Sequence, residues 1–190
     1  MKDVGVPGDP WAEIPDGSAL RRVVRELEHA EELSSAVLAA ALRGPVGIED
    51  VAPWIRFDAD NYRRNLVAAG GRWELRLHCW RPGQTTSLHG HGGAACAFRV
   101  VRGSAVETRI GARDAVLPPG AVVEESAEGF VHQVGNAGED ALLTLHAYAP
   151  ALPVGAPSAR TGRNVVVVGG GAGGIAVAVH LLRRNDPALR

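Results

Sequence analysis

The stretch LHGHGGAAC, residues 88–96, sets His89 and His91 one residue apart and reaches Cys96, one of two cysteines in a 190-residue chain with seven histidines. Residues i and i+2 of a strand point to the same side, so a strand here turns both imidazoles toward one point. Convergent imidazoles are a metal-site arrangement. The same spacing on the wet side of an edge strand gives two surface residues instead. The choice depends on what the chain around them builds.

To the N-terminal side of the histidines, the apolar pattern after Phe57 has a period of two. Tyr62, Arg64 and Leu66 alternate with Arg63, Asn65 and Val67; residues 68–71, AAGG, supply a turn; Trp73, Leu75, Leu77 and Cys79 then alternate with Glu74, Arg76, His78 and Trp80. This predicts a hairpin. It also puts His78 on the face opposite Leu77 and Cys79, in a solvated or rim position. Further short strands are expected near 86–91, 95–102, 104–110, 113–117, 121–125, 130–134 and 141–149, broken at Gly83, Gly103, Gly111, Pro118-Pro119-Gly120 and Asn136-Ala137-Gly138. Many short strands at such spacing predict a small jelly-roll barrel, mainly β, rather than βαβ units.

Ahead of the barrel, residues 1–17 read as an irregular arm punctuated by Pro, Gly and Asp. Leu20, Val23, Val24 and Leu27 then form one helical stripe, with Asp16 or Ser18 as cap. A second helix is expected around Leu33, Val37, Leu38 and Leu42, stopping at Gly44, and a short third over Ile48–Ile55. The predicted organisation is a helical region, 1–56, packed on a barrel, 57–150.

Twenty basic against 21 acidic residues give a net charge of −1, which offers no electrostatic reason for a nucleic-acid or anionic-membrane partner. The N-terminus lacks the pattern of a secretory or transit leader, and no stretch reaches the roughly 18 apolar residues of a membrane-spanning helix. The expected location is cytoplasmic, with Cys79 and Cys96 as thiols.

Residues 151–162, rich in Pro, Ala, Gly and Ser, read as a linker. Residues 163–190 follow with a valine run, Gly169, Gly171 and Gly174 in GxGxxG order, and an apolar helix. That pattern opens a Rossmann-type dinucleotide-binding unit. The acidic residue that holds the ribose is expected about 20 residues further on, beyond Arg190. The expectation is therefore a βα fragment that binds FAD or NAD(P) only within a longer chain.

Spacing extends the opening motif. Gly83, His89, His91, Cys96 and Gly103, followed by Gly129, His132 and Asn136, resemble the two motifs of the cupin superfamily, with Cys96 where the first usually has glutamate and Ala127 where the second usually has proline. The segments NYRRNLV, LHCWRPGQTTSLHGHGGAACAFRVVRGSAVETR and HQVGNAGEDALLTLHAYAP together resemble cysteine dioxygenase, the iron thiol dioxygenase of the cupin class. The resemblance spans about residues 57–150.

It implies that His89, His91 and His132 hold Fe(II), and that Arg64, in the context begun by Tyr62, binds the substrate carboxylate. It also implies that Tyr148 stands near the iron, oriented by His146, with Thr144 in place of the family's common serine. Cys96 matches the cysteine that forms a thioether with that tyrosine in animal members. Gly90 stands where the family often has aspartate. The implied reaction joins L-cysteine and O2 to give cysteine sulfinic acid.

The residues themselves leave alternatives. Arg64 shares strand parity with Tyr62 and Leu66, so an inward face buries a guanidinium that needs an anion, while an outward face makes it a surface arginine beside Arg63. His146 and Tyr148 share a face and can hydrogen-bond, or form a core pair. Cys96 can equally be a small buried hydrophobe. His29 and His180 have no partner in spacing. The competing functions are a dioxygenase for another small thiol such as 3-mercaptopropionate, a non-catalytic metal-binding cupin that regulates an attached FAD/NAD(P) oxidoreductase domain, and an oxidoreductase tail with the barrel as its sensor.

Overall fold

The structure, a computed structural model, describes residues 11–91, 93–125 and 131–151. The linker beyond Ala151, the glycines Gly169, Gly171 and Gly174, and Ala127 and Gly129 of the second motif lie outside the described residues.

Helix α1, Ala19–His29, starts where Ser18 Oγ accepts from Arg21 N, so Ser18 is the cap. Its stripe of Leu20, Val23, Val24 and Leu27 is fully buried. Helix α2, Ser35–Leu42, is capped by Ser34 and buries Leu38 and Leu42. A single turn, α3 (Ile48–Val51), continues into a 3-10 turn at Ala52–Trp54, where Pro53 stands. The expected three helical stretches are present.

Eight strands follow: β1 Arg63–Ala69, β2 Glu74–Trp80, β3 Ala95–Arg102, β4 Ala105–Arg109, β5 Ala115–Leu117, β6 Val122–Glu125, β7 His132–Asn136 and β8 Leu142–Ala149. They form a five-stranded sheet ordered β1-β2-β8-β3-β6 and a three-stranded sheet ordered β5-β4-β7, with every strand pair antiparallel. The larger sheet has two buried faces. Leu75, Leu77, Cys79, Leu143, Leu145 and Ala147 pack with the helices in one core. Tyr62, Trp80, Phe98, Val100 and Leu142 join Ala105 and Val134 of the smaller sheet in a second. The side chains of the site come from this inner face.

Two expectations fail here. Residues 86–91 form no strand; the segment meets β7 through the isolated bridges Thr85↔Gly135 and His89↔His132 and through hydrogen bonds such as Thr86 N to Val134 O at 2.9 Å. Gly135 permits that approach, because a Cβ there would stand 2.9 Å from Thr85 Cβ. In β1, Leu66 keeps the parity of Arg64, opposite Arg76, but is 52% exposed on the edge strand rather than buried, and the register shifts only after it, between Leu66 and Ala68.

Truncating the buried α1 stripe by Leu27→Ala is expected to cost about 2–5 kcal/mol of stability, read by denaturant unfolding. Metal binding should be unchanged, since α1 packs on the outer face.

Candidate metal centre

His89 and His132 form a two-way backbone pair: each N–H donates to the other's carbonyl at 2.9 Å. Directly opposed residues of an antiparallel pair project to the same side, and the two ring centres are 4.7 Å apart. His91 lies beyond the bridge at the start of a turn closed by Ala94 N donating to His91 O. Its ring lies 5.3 Å from His89 and 5.2 Å from His132. The convergence read from an i, i+2 strand is therefore real, but a cross-strand pair and a turn produce it.

The nitrogens of His89 and His132 are sorted for a metal. His89 Nδ1 lies 2.9 Å from Ser87 O, and His132 Nδ1 lies 2.9 Å from Glu107 Oε1. Carbonyls and carboxylates only accept, so each Nδ1 carries hydrogen, and Nε2 holds the lone pair in the neutral ring. His91 Nε2 and His132 Nε2 stand 3.2 Å apart. One ligand atom from each histidine fits within a 4.8 Å cluster. This donor set fits a divalent metal with further coordination positions open, as a catalytic site requires and a closed structural site does not allow.

Two buried carboxylates complete the surroundings, and the alternating charge pattern in the sequence does not mark either of them. Glu107, 3% exposed, also pairs with Arg109 Nε at 3.0 Å. Glu125, fully buried, touches His91 Nε2 and lies 2.9 Å from His132 Nδ1. Among the described residues neither Glu125 oxygen makes a directed hydrogen bond. A carboxylate so placed needs a cation beside it. Burial alone would raise Glu125, but His132 and His91 hold it well below the usual carboxylate range.

Burial also opposes a charge on His132, yet Glu107 and Glu125 outweigh it and lift the ring to about 9. His89 goes the other way, to about 4, chiefly because it is buried. A metal must displace the His132 proton below pH 9 and meets no proton on His89 above pH 5. Divalent-metal affinity is therefore expected to rise about tenfold per pH unit from 6.5 toward 9. Competition titrations across that range check the slope; a flat profile would contradict it.

The wall opposite the histidines belongs to β2, β8 and β3. Trp80 Nε1 donates to Thr144 Oγ1 at 2.9 Å, Thr144 Oγ1 meets His146 Nε2 at 2.9 Å, and His146 Nδ1 meets Tyr148 Oη at 3.2 Å. An indole N–H can only donate, so Trp80 donates to Thr144, and the neutral His146 ring links Thr144 to Tyr148 by donating through one nitrogen and accepting through the other. Burial, then His78, keeps His146 neutral.

Cys96 is the register partner of both Tyr148 and Glu125. Burial, reinforced by Glu125, pushes its thiol well up. Arg64 is half-buried beside buried Tyr62, whose ring stacks on Trp80 at 4.1 Å. Arg76, on the same wall, makes a bidentate pair with Glu74 at 2.7 and 2.8 Å.

His78 is not solvated. It is 3% exposed, with its ring stacked 3.8 Å from His146. The expectation assumed that one face of β2 meets water, whereas one face meets the helices and the other the cavity.

Two antiparallel sheets facing each other, with three histidines converging in a donor set that fits a metal, define a cupin fold. A solved structure of similar shape is TT1209 from Thermus thermophilus, 25% identical with a TM-score of 0.50, covering 56% of this chain and 100% of that one. The family model for cysteine dioxygenase type I matches residues 18–156, and the chain belongs to that family. Cysteine dioxygenase type 1 of Danio rerio is 28% identical over 116 residues, 54% of this chain and 58% of the relative. That of Bos taurus is 26% identical over 148 residues, 69% of this chain and 72% of the relative. The chain thus spans less than two thirds of the Danio rerio protein's length. Among the described residues no helix is long and apolar enough to cross a membrane.

Proposed function

We propose that this protein is an iron-dependent thiol dioxygenase that converts L-cysteine and O2 to cysteine sulfinic acid. Both oxygen atoms enter the product, and the sulfur is oxidised from thiol to sulfinate. The observation that carries the reading is the three-histidine cluster, with the Nδ1 atoms of His89 and His132 tied down by Ser87 and Glu107. His89, His91 and His132 would hold the metal. Ferrous iron in that position supplies the redox chemistry that joins dioxygen to sulfur.

The remaining roles belong to the chain itself. Arg64 binds the carboxylate through its planar fork and fixes the thiol relative to the histidines. Tyr62, stacked on Trp80, stiffens that side of the pocket. Tyr148, hydrogen-bonded to His146, presents its hydroxyl beside Cys96, its register partner.

Anaerobic iron loading followed by L-cysteine and air should yield a product heavier than cysteine by two oxygen atoms, seen by mass spectrometry. Iron-loaded protein that consumes no oxygen with cysteine would sink the reading. Glu125 favours one alternative: a carboxylate against His91 and Cys96 adds a donor beyond the histidines. A fuller donor set suits a metal-binding cupin without turnover, which the same experiment separates as bound iron with no sulfinate. A substrate such as 3-mercaptopropionate is distinguished by its rate against L-cysteine.

A further inference from the structure

His78 is the one buried polar side chain of the cavity wall that the roles above leave unused. Its burial is nearly complete, yet among the described residues neither ring nitrogen has a hydrogen-bond partner. The other polar groups on that wall are satisfied: Trp80, Thr144, His146 and Tyr148 by their chain, and Arg76 by Glu74. An imidazole left unpaired in the interior weakens the fold, so its retention points to something it binds.

The position of the ring says what that is. On adjacent antiparallel strands His78 is the direct register partner of Arg64, so the two side chains stand next to each other on the inner face. The ring is held in place by stacking on His146, and lies 5.5 Å from the Tyr62 ring. Burial, then the Arg64 and Arg76 charges, disfavours the imidazolium, which leaves a neutral ring with one N–H to donate.

We propose that His78 is a specificity-determining residue whose imidazole N–H binds the carboxylate of the thiol substrate beside Arg64. This rests on the thiol dioxygenase reading and deepens it. A carboxylate seated there receives the fork of Arg64 and a further donor from an uncharged ring. The pocket therefore discriminates more strongly against thiols without a carboxylate than an arginine alone would.

The test uses the full chain, iron-loaded without oxygen, and measures dissociation constants by calorimetry. The probes are L-cysteine, 3-mercaptopropionate and cysteamine, the last of which has no carboxylate. His78→Leu is expected to weaken both carboxylate-bearing thiols about tenfold and leave cysteamine within twofold. His78→Asn, which keeps a donor, should recover part of that loss. Iron content and unfolding midpoint serve as checks that the variants fold.

Unchanged binding of the carboxylate-bearing thiols by the leucine variant would overturn the assignment and leave the dioxygenase reading intact. An equal loss for cysteamine would overturn it too, by showing a role in pocket shape. Failure of the unsubstituted protein to bind any of the three would sink both.

Discussion

His132→Ala is expected to lose ferrous iron, with affinity down by about two orders of magnitude or more, and with it all sulfinate formation. His132 is singled out among the histidines because three features meet in it. Its backbone pairs with His89, its Nδ1 is fixed by Glu107, and its Nε2 faces His91 at 3.2 Å. Alanine deletes a donor and also leaves the Glu107 and Glu125 carboxylates with less positive charge nearby, so rebuilding the site around a water is unfavourable. Iron analysis after anaerobic loading and gel filtration reads the result directly. His29→Ala supplies the control, since that histidine is exposed on α1 and bonds the Arg25 carbonyl. Retention of one tightly held iron by the His132 variant would remove the metal centre from this account.

How much of this was legible in the sequence varied with the number of neighbours each position has. The α1 stripe was readable because one helix face meets the core and the other meets water, and Leu20, Val23, Val24 and Leu27 carry that contrast. Strand β2 has no such contrast. With Leu75, Leu77 and Cys79 against the helices and His78 and Trp80 against the cavity, alternation identified a strand but gave the wrong side as wet. The three histidines that spacing and the cupin resemblance picked out converge, though through a different local structure, since isolated bridges and single hydrogen bonds to β7 stand in for the expected strand over 86–91.

Glu107 and Glu125 went unread for a different reason. Each sits in an ordinary run, AVETR and VVEE, and becomes notable only through cross-strand register: Arg109 opposite His132 sets the β4 partner of the metal site, and Glu125 opposite Cys96 sets the β6 one. Register between strands distant in sequence is not a local signal. The cupin pattern with cysteine in place of the first motif's glutamate suggested a site without a carboxylate. The structure returns one to the same neighbourhood from the paired strand, which makes the local charge less positive than three imidazoles alone would be.

That charge balance gives Arg64 its importance, and Arg64→Ala is expected to raise the KM for L-cysteine about 100-fold while iron content stays unchanged. A thiolate carboxylate substrate enters a cavity that already holds Glu125, so the charge that offsets its second anion must come from the opposite wall. There Arg64 stands half-buried beside Tyr62 and His78, and Arg76 makes a bidentate pair with Glu74. A bidentate guanidinium–carboxylate contact comprises two charge-assisted bonds of about 1.5–3 kcal/mol each; partial exposure reduces their sum, and about 2.7 kcal/mol corresponds to the stated factor. Arg64→Lys should restore only part of it, because an ammonium keeps the charge but not the fork. The decisive comparison is cysteamine, whose KM should not respond to either substitution; a parallel rise for cysteamine, or a KM for L-cysteine that stays put in the alanine variant, would mean that the carboxylate is bound elsewhere.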